Sequence, residues 1–427
     1  MSIKLLSSTT RVETPFISVQ IGDFVFGIFN QSLEKIIQNN KLYSKVVSVF
    51  PNFMQSLNVT KVNGAVNTYT LNMEYKIRAG DDPNLIDKAL SSVSKTRKIK
   101  LSYGDYSTPT YFFREESAII TKVTSSVNVA ASSITYNINC TSEALSLTAG
   151  TYSFSKKYAK PSDEIKRILY DKTYGVLEVF YGMRDKNLIL AKGLIAGDDR
   201  PVNIEAQRNV TIFNYLNYLV TCMSNVNDSD SELIKKNRYT LTVYDDLASE
   251  FGGPYFKVTK VTDNIPNNNS LDTYEIDIGY PGENIVTGFS ITNNETYSIL
   301  YDYSKQIHQA DYSYRIDNNG EVDYIYAPVL SNSPNLMKTT EADKTWWTSM
   351  TQYPISAQVT VKGLLRPAIL MSYVKLNVLF FGRKHTSSGY YIITKQQDTV
   401  DSSGYRTTLY LTRIKGDPDE YEYFKWW

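Results

Sequence analysis

The sequence predicts a mainly β fold with α/β insertions: two similar antiparallel β-barrels that carry smaller inserted domains. Three observations lead there. The 427 residues include 34 Tyr, alongside abundant Thr, Val and Ile, a composition that favours strands. Apolar and polar residues alternate through most of Ser356–Lys415, where Thr408, Tyr410 and Thr412 share one face and Leu409 and Leu411 the other. Finally, one tetrapeptide recurs on strand-like segments: VTKV at Val59–Val62, ITKV at Ile120–Val123, VTKV at Val258–Val261 and ITKQ at Ile393–Gln396. The last three copies also share a spacing, with Thr121 and Thr135, Thr259 and Thr273, and Thr394 and Thr408 each fourteen residues apart. Such self-similarity predicts one barrel type used twice.

Taken in order, Pro15–Phe29 reads as one or two apolar strands, and Tyr43–Phe53, Gln55–Asn63 and Asn67–Arg78 as further strands. DPNLIDKALSSVS predicts a helix capped by Asp82 with Pro83 at its first position, where a missing N–H costs nothing. Strands over Ile99–Tyr103, Ser117–Val127 and Ser133–Thr141 complete a first barrel, residues 1–156. The period then becomes helical. KPSDEIKRILYDKTYG, with Ser162 as N-cap and Gly175 beyond the end, and the segment Val210–Met223 are helix candidates in an α/β insertion at 157–226. The linker-like NVNDSDSE leads into 227–280, the first part of a second barrel. Residues 281–350 read as another insertion, 351–416 as a closing meander and 417–427 as an aromatic tail.

Composition excludes several classes of function. A net charge of +1 and 21% charged residues provide no field for nucleic acid or an anionic membrane. No apolar run approaches 20 residues, so no stable membrane insertion is expected, and MSIKLLSSTTRVETPF lacks the apolar core of a signal peptide. Cys140 and Cys222 are too few and too far apart for a disulfide framework or metal spacing, so synthesis in a reducing cytoplasm is expected. Only His308 and His385 could centre a triad, and His385 lies in the loop RKHTSSG. No metal motif occurs, the NDSDSE cluster lacks the glycine and distal Glu of a calcium loop, and AGDD at 79–82 and AGDDRP at 196–201 read as turns. The carboxylate pairs Glu115–Glu116 and Asp245–Asp246 diverge across a strand and read as surface charge, and the basic KTRKIK at 95–100 reads as a local salt-bridge or interface segment. No catalytic residue, cofactor or metal is therefore assigned.

Aromatic clusters stand out more. The four Trp fall in two pairs, Trp346–Trp347 and Trp426–Trp427, the second following Tyr421, Tyr423 and Phe424. An exposed tail of this kind needs cover, so Tyr421, Tyr423, Phe424, Trp426 and Trp427 are candidate interface residues.

Residues 385–417, HTSSGYYIITKQQDTVDSSGYRTTLYLTRIKGD, resemble the closing segment of baseplate hub proteins of contractile-tailed bacteriophages, a family related to tail-associated proteins and type VI secretion spike proteins. Ser388, Gly389, Tyr391, Ile393 and Thr394, then Gly404, Tyr405, Thr407, Leu409, Leu411 and Arg413, match that family's strand, turn and strand. Residues 100–144 look like the matching part of the first barrel, so the resemblance covers about half the chain. It implies a non-enzymatic homotrimeric ring at the tail tip of a virion, assembled in the host cytoplasm. A pseudo-sixfold face would join the tail tube protein, and a threefold face a central spike. The tape-measure protein and, in transit, DNA would pass through the channel, with baseplate wedge or arm proteins as further neighbours. Because the chain ends soon after the second barrel, any puncturing or wall-cutting domain is expected on a separate partner. Two alternatives stay open from the residues alone: a glycan-binding receptor module of a tail, and a cell-wall hydrolase with carboxylates that carry no motif.

Overall fold

A computed structural model of the chain describes residues 3–4, 15–28, 46, 48–51, 53–95, 98–105, 112–148, 150–154, 158–170, 199–204, 206–223, 238–247, 255–261, 273–280, 286–293, 312–316, 322–326, 355–362, 370–380, 383–385 and 387–416. It opens with β1 (Ile3–Lys4), β2 (Pro15–Ile21), β3 (Phe24–Ile28), β4 (Ser48–Pro51), β5 (Met54–Val62) and β6 (Thr68–Lys76). Helix α1 (Pro83–Lys95) precedes β7 (Lys98–Asp105), β8 (Phe112–Asn128) and β9 (Ser133–Thr141). There follow β10 (Tyr152–Phe154), β11 (Tyr158–Ala159), α2 (Pro161–Tyr170), β12 (Val202–Asn203), β13 (Gln207–Val210), α3 (Ile212–Met223), β14 (Arg238–Tyr244) and β15 (Tyr255–Val261). The C-terminal part holds β16 (Thr273–Ile278), β17 (Val286–Asn293), β18 (Tyr312–Ile316), β19 (Val322–Tyr326), β20 (Ile355–Lys362), β21 (Tyr373–Phe380), β22 (Arg383–Lys384), β23 (Gly389–Asp401) and β24 (Gly404–Gly416). The fold is mainly β with small helical insertions.

Local chemistry accounts for these elements. The apolar stretch from Pro15 is two strands, because Gly22 takes a left-handed φ of 61° in the two-residue turn between β2 and β3. Asp82 caps α1 as its sequence predicts, its Oδ1 accepting from the Asn84 N–H at 2.9 Å. The cap of α2 differs from expectation: Ser162 lies inside the helix, and its N–H donates to Asp199 Oδ2 at 2.9 Å.

Sheet order exposes a duplication. In the first half the order is β5-β6-β9-β8-β7, and in the second it is β17-β20-β24-β23-β21, with the same chain order in both. Irregularities coincide too. The β8–β9 ladder shifts register between Ile120 and Lys122, and the β23–β24 ladder between Ile393 and Lys395, so each bulge falls on the Thr of the repeated ITK. Aligned on those bulges, the β5–β6 irregularity at Met54/Ser56 meets that of β17–β20 at Val286/Gly288. At each ITK bulge the threonine hydroxyl bonds across the ladder, Thr121 to the Asn139 carbonyl at 2.9 Å and Thr394 to the Tyr410 carbonyl at 3.2 Å.

The repeat is thus real for two of the four tetrapeptides, and the fourteen-residue spacing is not its signature. The β8–β9 loop is two residues longer than the β23–β24 turn, so Thr408 pairs with Gln397 while Thr135 pairs with Ser126. Val258–Val261 lies in β15, which pairs with β14 and forms no hairpin with β16. The second half is also not wholly antiparallel, since β1, β16 and β21 run parallel. That arrangement is open to β16 and β21 because the long excursion through β17–β20 supplies the crossover that parallel neighbours need.

Both units share one apolar core, in which Leu57, Val59 and Leu71 of the first lie with Val359, Val400, Leu409 and Leu411 of the second. Each such side chain contributes about 1.5–3 kcal/mol on burial. A second core gathers α2, α3, β14 and β15. Helix α3 is apolar on nearly every face and is buried accordingly, with Tyr215 stacked on Phe154 at 3.9 Å. The sequence groups 227–280 with the second barrel; the packing puts β14 and β15 on the helical core and only β16 on the large sheet. An amphipathic hairpin reads the same whichever core it covers.

Candidate functional site

Strand β23 joins the two units by pairing with β5 over seven residues, from Lys395 opposite Val62 to Asp401 opposite Ser56. Under this junction lies a buried ionic cluster. Side chains alternate along a strand, so Lys61 shares the inner face with Leu57 and Val59, Asp398 with Gln396 and Val400, and Glu116 with Ala118. Lys61 Nζ binds Glu116 Oε1 directly, and Arg114 lies 3.8 Å from both Glu116 Oε1 and Asp398 Oδ2. Asp398 also accepts from Thr407 at 2.7 Å, Gln396 at 2.7 Å and Tyr405 at 3.1 Å, which brings β23 and β24 into the cluster.

Asp245, just beyond β14, reaches the same place. A bridge between Glu116 and Asp246 aligns the two segments, and Ser117 N–H donates to the Asp245 carbonyl at 3.1 Å. The Asp245 carboxyl accepts from Asn67 at 2.8 Å and Ser142 at 2.5 Å. Tyr69 OH lies 2.8 Å from Asp245 Oδ2 and 2.9 Å from Glu116 Oε2. A phenol has one proton to give, so one of these contacts requires a proton on a carboxyl. Burial pushes Asp245 up to about 6, assisted by the Glu116 charge and opposed by the Ser142 and Asn67 hydrogen bonds. Glu116 is held below the usual carboxylate range, because Lys61 and Arg114 outweigh its burial. Of the two carboxyls Asp245 is therefore the one that takes up a proton first as pH falls, and two cations, Lys61 and Arg114, face two carboxylates, Glu116 and Asp398, beside it. Burial, together with the neighbouring carboxylates, raises the Tyr69 and Tyr103 phenols well above their ordinary value.

This corrects the reading of the carboxylate pairs as surface charge. Within each pair the neighbours do diverge, but one member of each, Glu116 at 3% exposure and Asp245 at 2%, meets the other through Tyr69. Two carboxylates sealed in this way cannot reach a glycan; the arrangement can hold three distant segments of chain together.

Behind the cluster, on the opposite face of the same strands, lies a surface of hydroxyl and amide groups. It runs across β17, β20, β24, β23, β5, β6, β9 and β8, crossing the junction. Its side chains are tied from strand to strand: Thr360 with Thr408 at 3.0 Å, Tyr410 with Gln397 at 2.7 Å, Thr399 with Asn58 at 3.1 Å, Asn72 with Ser56 at 2.8 Å and Asn137 with Asn72 at 2.7 Å. Arg406 and Asp401, which lie 3.5 Å apart, bring opposite charges to this face as a pair.

The remaining expectations can be placed. His385 Nδ1 accepts from the Ser387 N–H at 3.2 Å and lies 2.7 Å from its hydroxyl, closing a turn in which Ser387 is buried. Lys98 of KTRKIK is paired with Glu143 at 2.7 Å. Among the described residues no three His, Cys, Asp or Glu side chains converge on a metal position, and no helix is long and apolar enough to cross a membrane. Tyr421, Tyr423, Phe424, Trp426, Trp427, the Trp346–Trp347 pair, His308 and NDSDSE lie outside the described residues.

No family model and no curated protein matches this sequence. Solved structures do match its architecture, a duplicated, mainly β unit with helical insertions. The 43 kDa tail protein of prophage MuSo2 from Shewanella oneidensis is similar with a TM-score of 0.50 and 12% identity, over 93% of this chain and 98% of that one. A tail protein from Neisseria meningitidis MC58 is similar at 0.49 and 9%, over 93% and 96% of the two chains. A chain of the Francisella PdpA–VgrG complex is similar at 0.48 and 11%, over 95% of this chain and 59% of that one. The chain thus has the fold of phage tail proteins, as the resemblance in residues 385–417 implies.

Proposed function

We propose that the protein is a structural hub at the tip of a bacteriophage tail, a homotrimeric ring joining a hexameric tail tube to a trimeric spike. The observation that carries this reading is the duplicated five-strand unit with its edge-to-edge junction. Three copies of a chain with two equivalent units present six near-equivalent positions on one face while keeping threefold symmetry on the other. The hydroxyl and amide face, in which Lys122, Lys362, Lys395, Arg406, Glu74 and Asp401 are interspersed, is the candidate wall of a passage for the tape-measure protein and DNA. Its function is mechanical, without catalysis, and its place is the virion tail tip, whether the tail is contractile or not. The aromatic tail with Tyr421, Tyr423, Phe424, Trp426 and Trp427 is a partner contact in this reading. Native mass measurement on the purified protein, alone and mixed with its tube protein, tests the proposal. A trimer is the expected result; a monomer in every mixture refutes it.

A further inference from the structure

The helical core meets the duplicated sheet along β14 and the residues just beyond it. Across this seam the Gly64 N–H donates to the Leu241 carbonyl at 2.9 Å, Asn67 Nδ2 to the Val243 carbonyl at 3.1 Å, and the Leu247 N–H to the Glu115 carbonyl at 2.8 Å. Thr242 Oγ1 donates to Asn63 Oδ1 at 2.9 Å, and the Ser117 N–H to the Asp245 carbonyl at 3.1 Å. These bonds join neutral groups and do not depend on pH. The Asp245 carboxyl, in the same seam, does.

Facing Asp245 are Tyr69 of β6, Lys61 of β5, Tyr103 of β7 and Arg114 and Glu116 of β8, with Asp398 of β23 and Tyr405 of β24 beyond Arg114. Glu143, after β9, is engaged by Ser117 Oγ at 2.8 Å and by Lys98 at 2.7 Å, and Glu115 and Asp246 diverge from their buried neighbours. Lys61 and Arg114 balance Glu116 and Asp398, so an ionised Asp245 adds an unbalanced buried negative charge. The hydrogen bonds point the same way. Ser142 Oγ accepts from the Ala144 N–H at 3.1 Å and gives its own proton to Asp245 Oδ1, whereas the Tyr69 phenol supplies one proton for Asp245 Oδ2 and Glu116 Oε2 together. A proton on Asp245 provides the missing donor and removes the excess charge at once.

We propose that this seam is a proton-operated latch: protonation of Asp245 closes the helical core onto the sheet, and loss of that proton lets β14 and residues 245–247 lift from β8 and the β5–β6 loop while the sheet stays intact. The sheet has its own ladders, β23 with β5 and β8 with β9, which hold without the Asp245 carboxyl. In the closed seam the carboxyl titrates at about 6, against 3.8 for the free group, so the closed form retains the proton and closure weakens as pH rises through that window.

Hydrogen exchange at the Gly64, Ser117 and Leu247 amides tests the latch, since each donates across the seam. After correction for intrinsic rates, their opening is expected to be about tenfold more frequent at pH 7 than at pH 5, while the Lys395–Asp401 amides of the sheet junction open equally at both. Asp245→Asn, which fixes the neutral form, is expected to abolish the dependence on pH. Ser142→Ala removes a bond that favours the charged carboxyl, so it is expected to move the midpoint of opening to higher pH, and it carries the test should Asp245→Asn fail to fold. Equal opening of the seam at the two pH values, a change shared by Lys395–Asp401, a pH dependence that survives Asp245→Asn, or a midpoint unmoved by Ser142→Ala overturns the proposal.

Discussion

The junction between β23 and β5 and the open edges of β8 and β17 are the same piece of architecture in two chemical versions. At the junction the inner face carries Asp398, Lys61 and Tyr69 as members of a sealed ionic cluster. The equivalent positions of the other copy of the unit are Ser125 of β8 and Asn293 of β17, on the open edges, and Ala357 of β20, a strand paired on both sides. A buried charge must meet its partner as the chain folds, because burying it alone costs several kcal/mol. Within one chain the partner is always present, so charge can specify the register. An edge that faces water cannot depend on such a cluster, and the inner face of the open β8 segment carries Val123, Ser125 and Val127.

That contrast can be broken from either side. The largest effect is expected from Lys61→Met, which strands Glu116 in the core: a loss of about 3–5 kcal/mol in chemical denaturation. A loss below about 1 kcal/mol would mean that the cluster does not hold the junction. Next comes Asp245→Asn. The folded carboxyl titrates at about 6 against 3.8 for the free group, so the folded state binds the extra proton between those values. Its contribution to stability falls as pH rises through that window, and the deficit, about 3 kcal/mol, persists above it. Relative to the parent, Asp245→Asn is expected to gain stability between pH 4 and pH 7; parallel denaturation curves at the two pH values would contradict the assignment. Glu116, lowered, acts in the opposite sense and is common to both proteins.

Smaller changes sharpen the equivalence of the two units. Thr121→Val and Thr394→Val each remove one bulge hydroxyl bond and should each cost about 0.5–1.5 kcal/mol, by similar amounts in thermal melts. A large effect at one and none at the other would separate the units. Ser125→Ala, at the exposed counterpart of Asp398, should stay within about 0.5 kcal/mol of the parent.

Much of the fold was legible because alternation is a direct print of the pleat. Strands β5, β6, β8, β9, β20, β23 and β24, and helix α1 with its Asp82 cap, fall where period and capping predict them. The duplication was legible in the ITK of two copies, since the threonine is the bulge residue. The fourteen-residue spacing misled because it counts through loops of different length. The buried cluster was missed because charged residues ordinarily face water. A signal was available all the same: Lys61 has the parity of Leu57 and Val59, and Asp398 that of Val400, which puts both inside. Asp245 had no such signal, because its partner Glu116 is distant in sequence and only the β14 packing brings them together.

The central claim, a ring of duplicated units joined edge to edge, is tested most directly by electron cryomicroscopy of the assembled protein or of tails that contain it. The account predicts a threefold ring whose wall repeats the five-strand unit six times. A ring without six repeats of the unit in its wall, or particles containing only isolated copies, would contradict it.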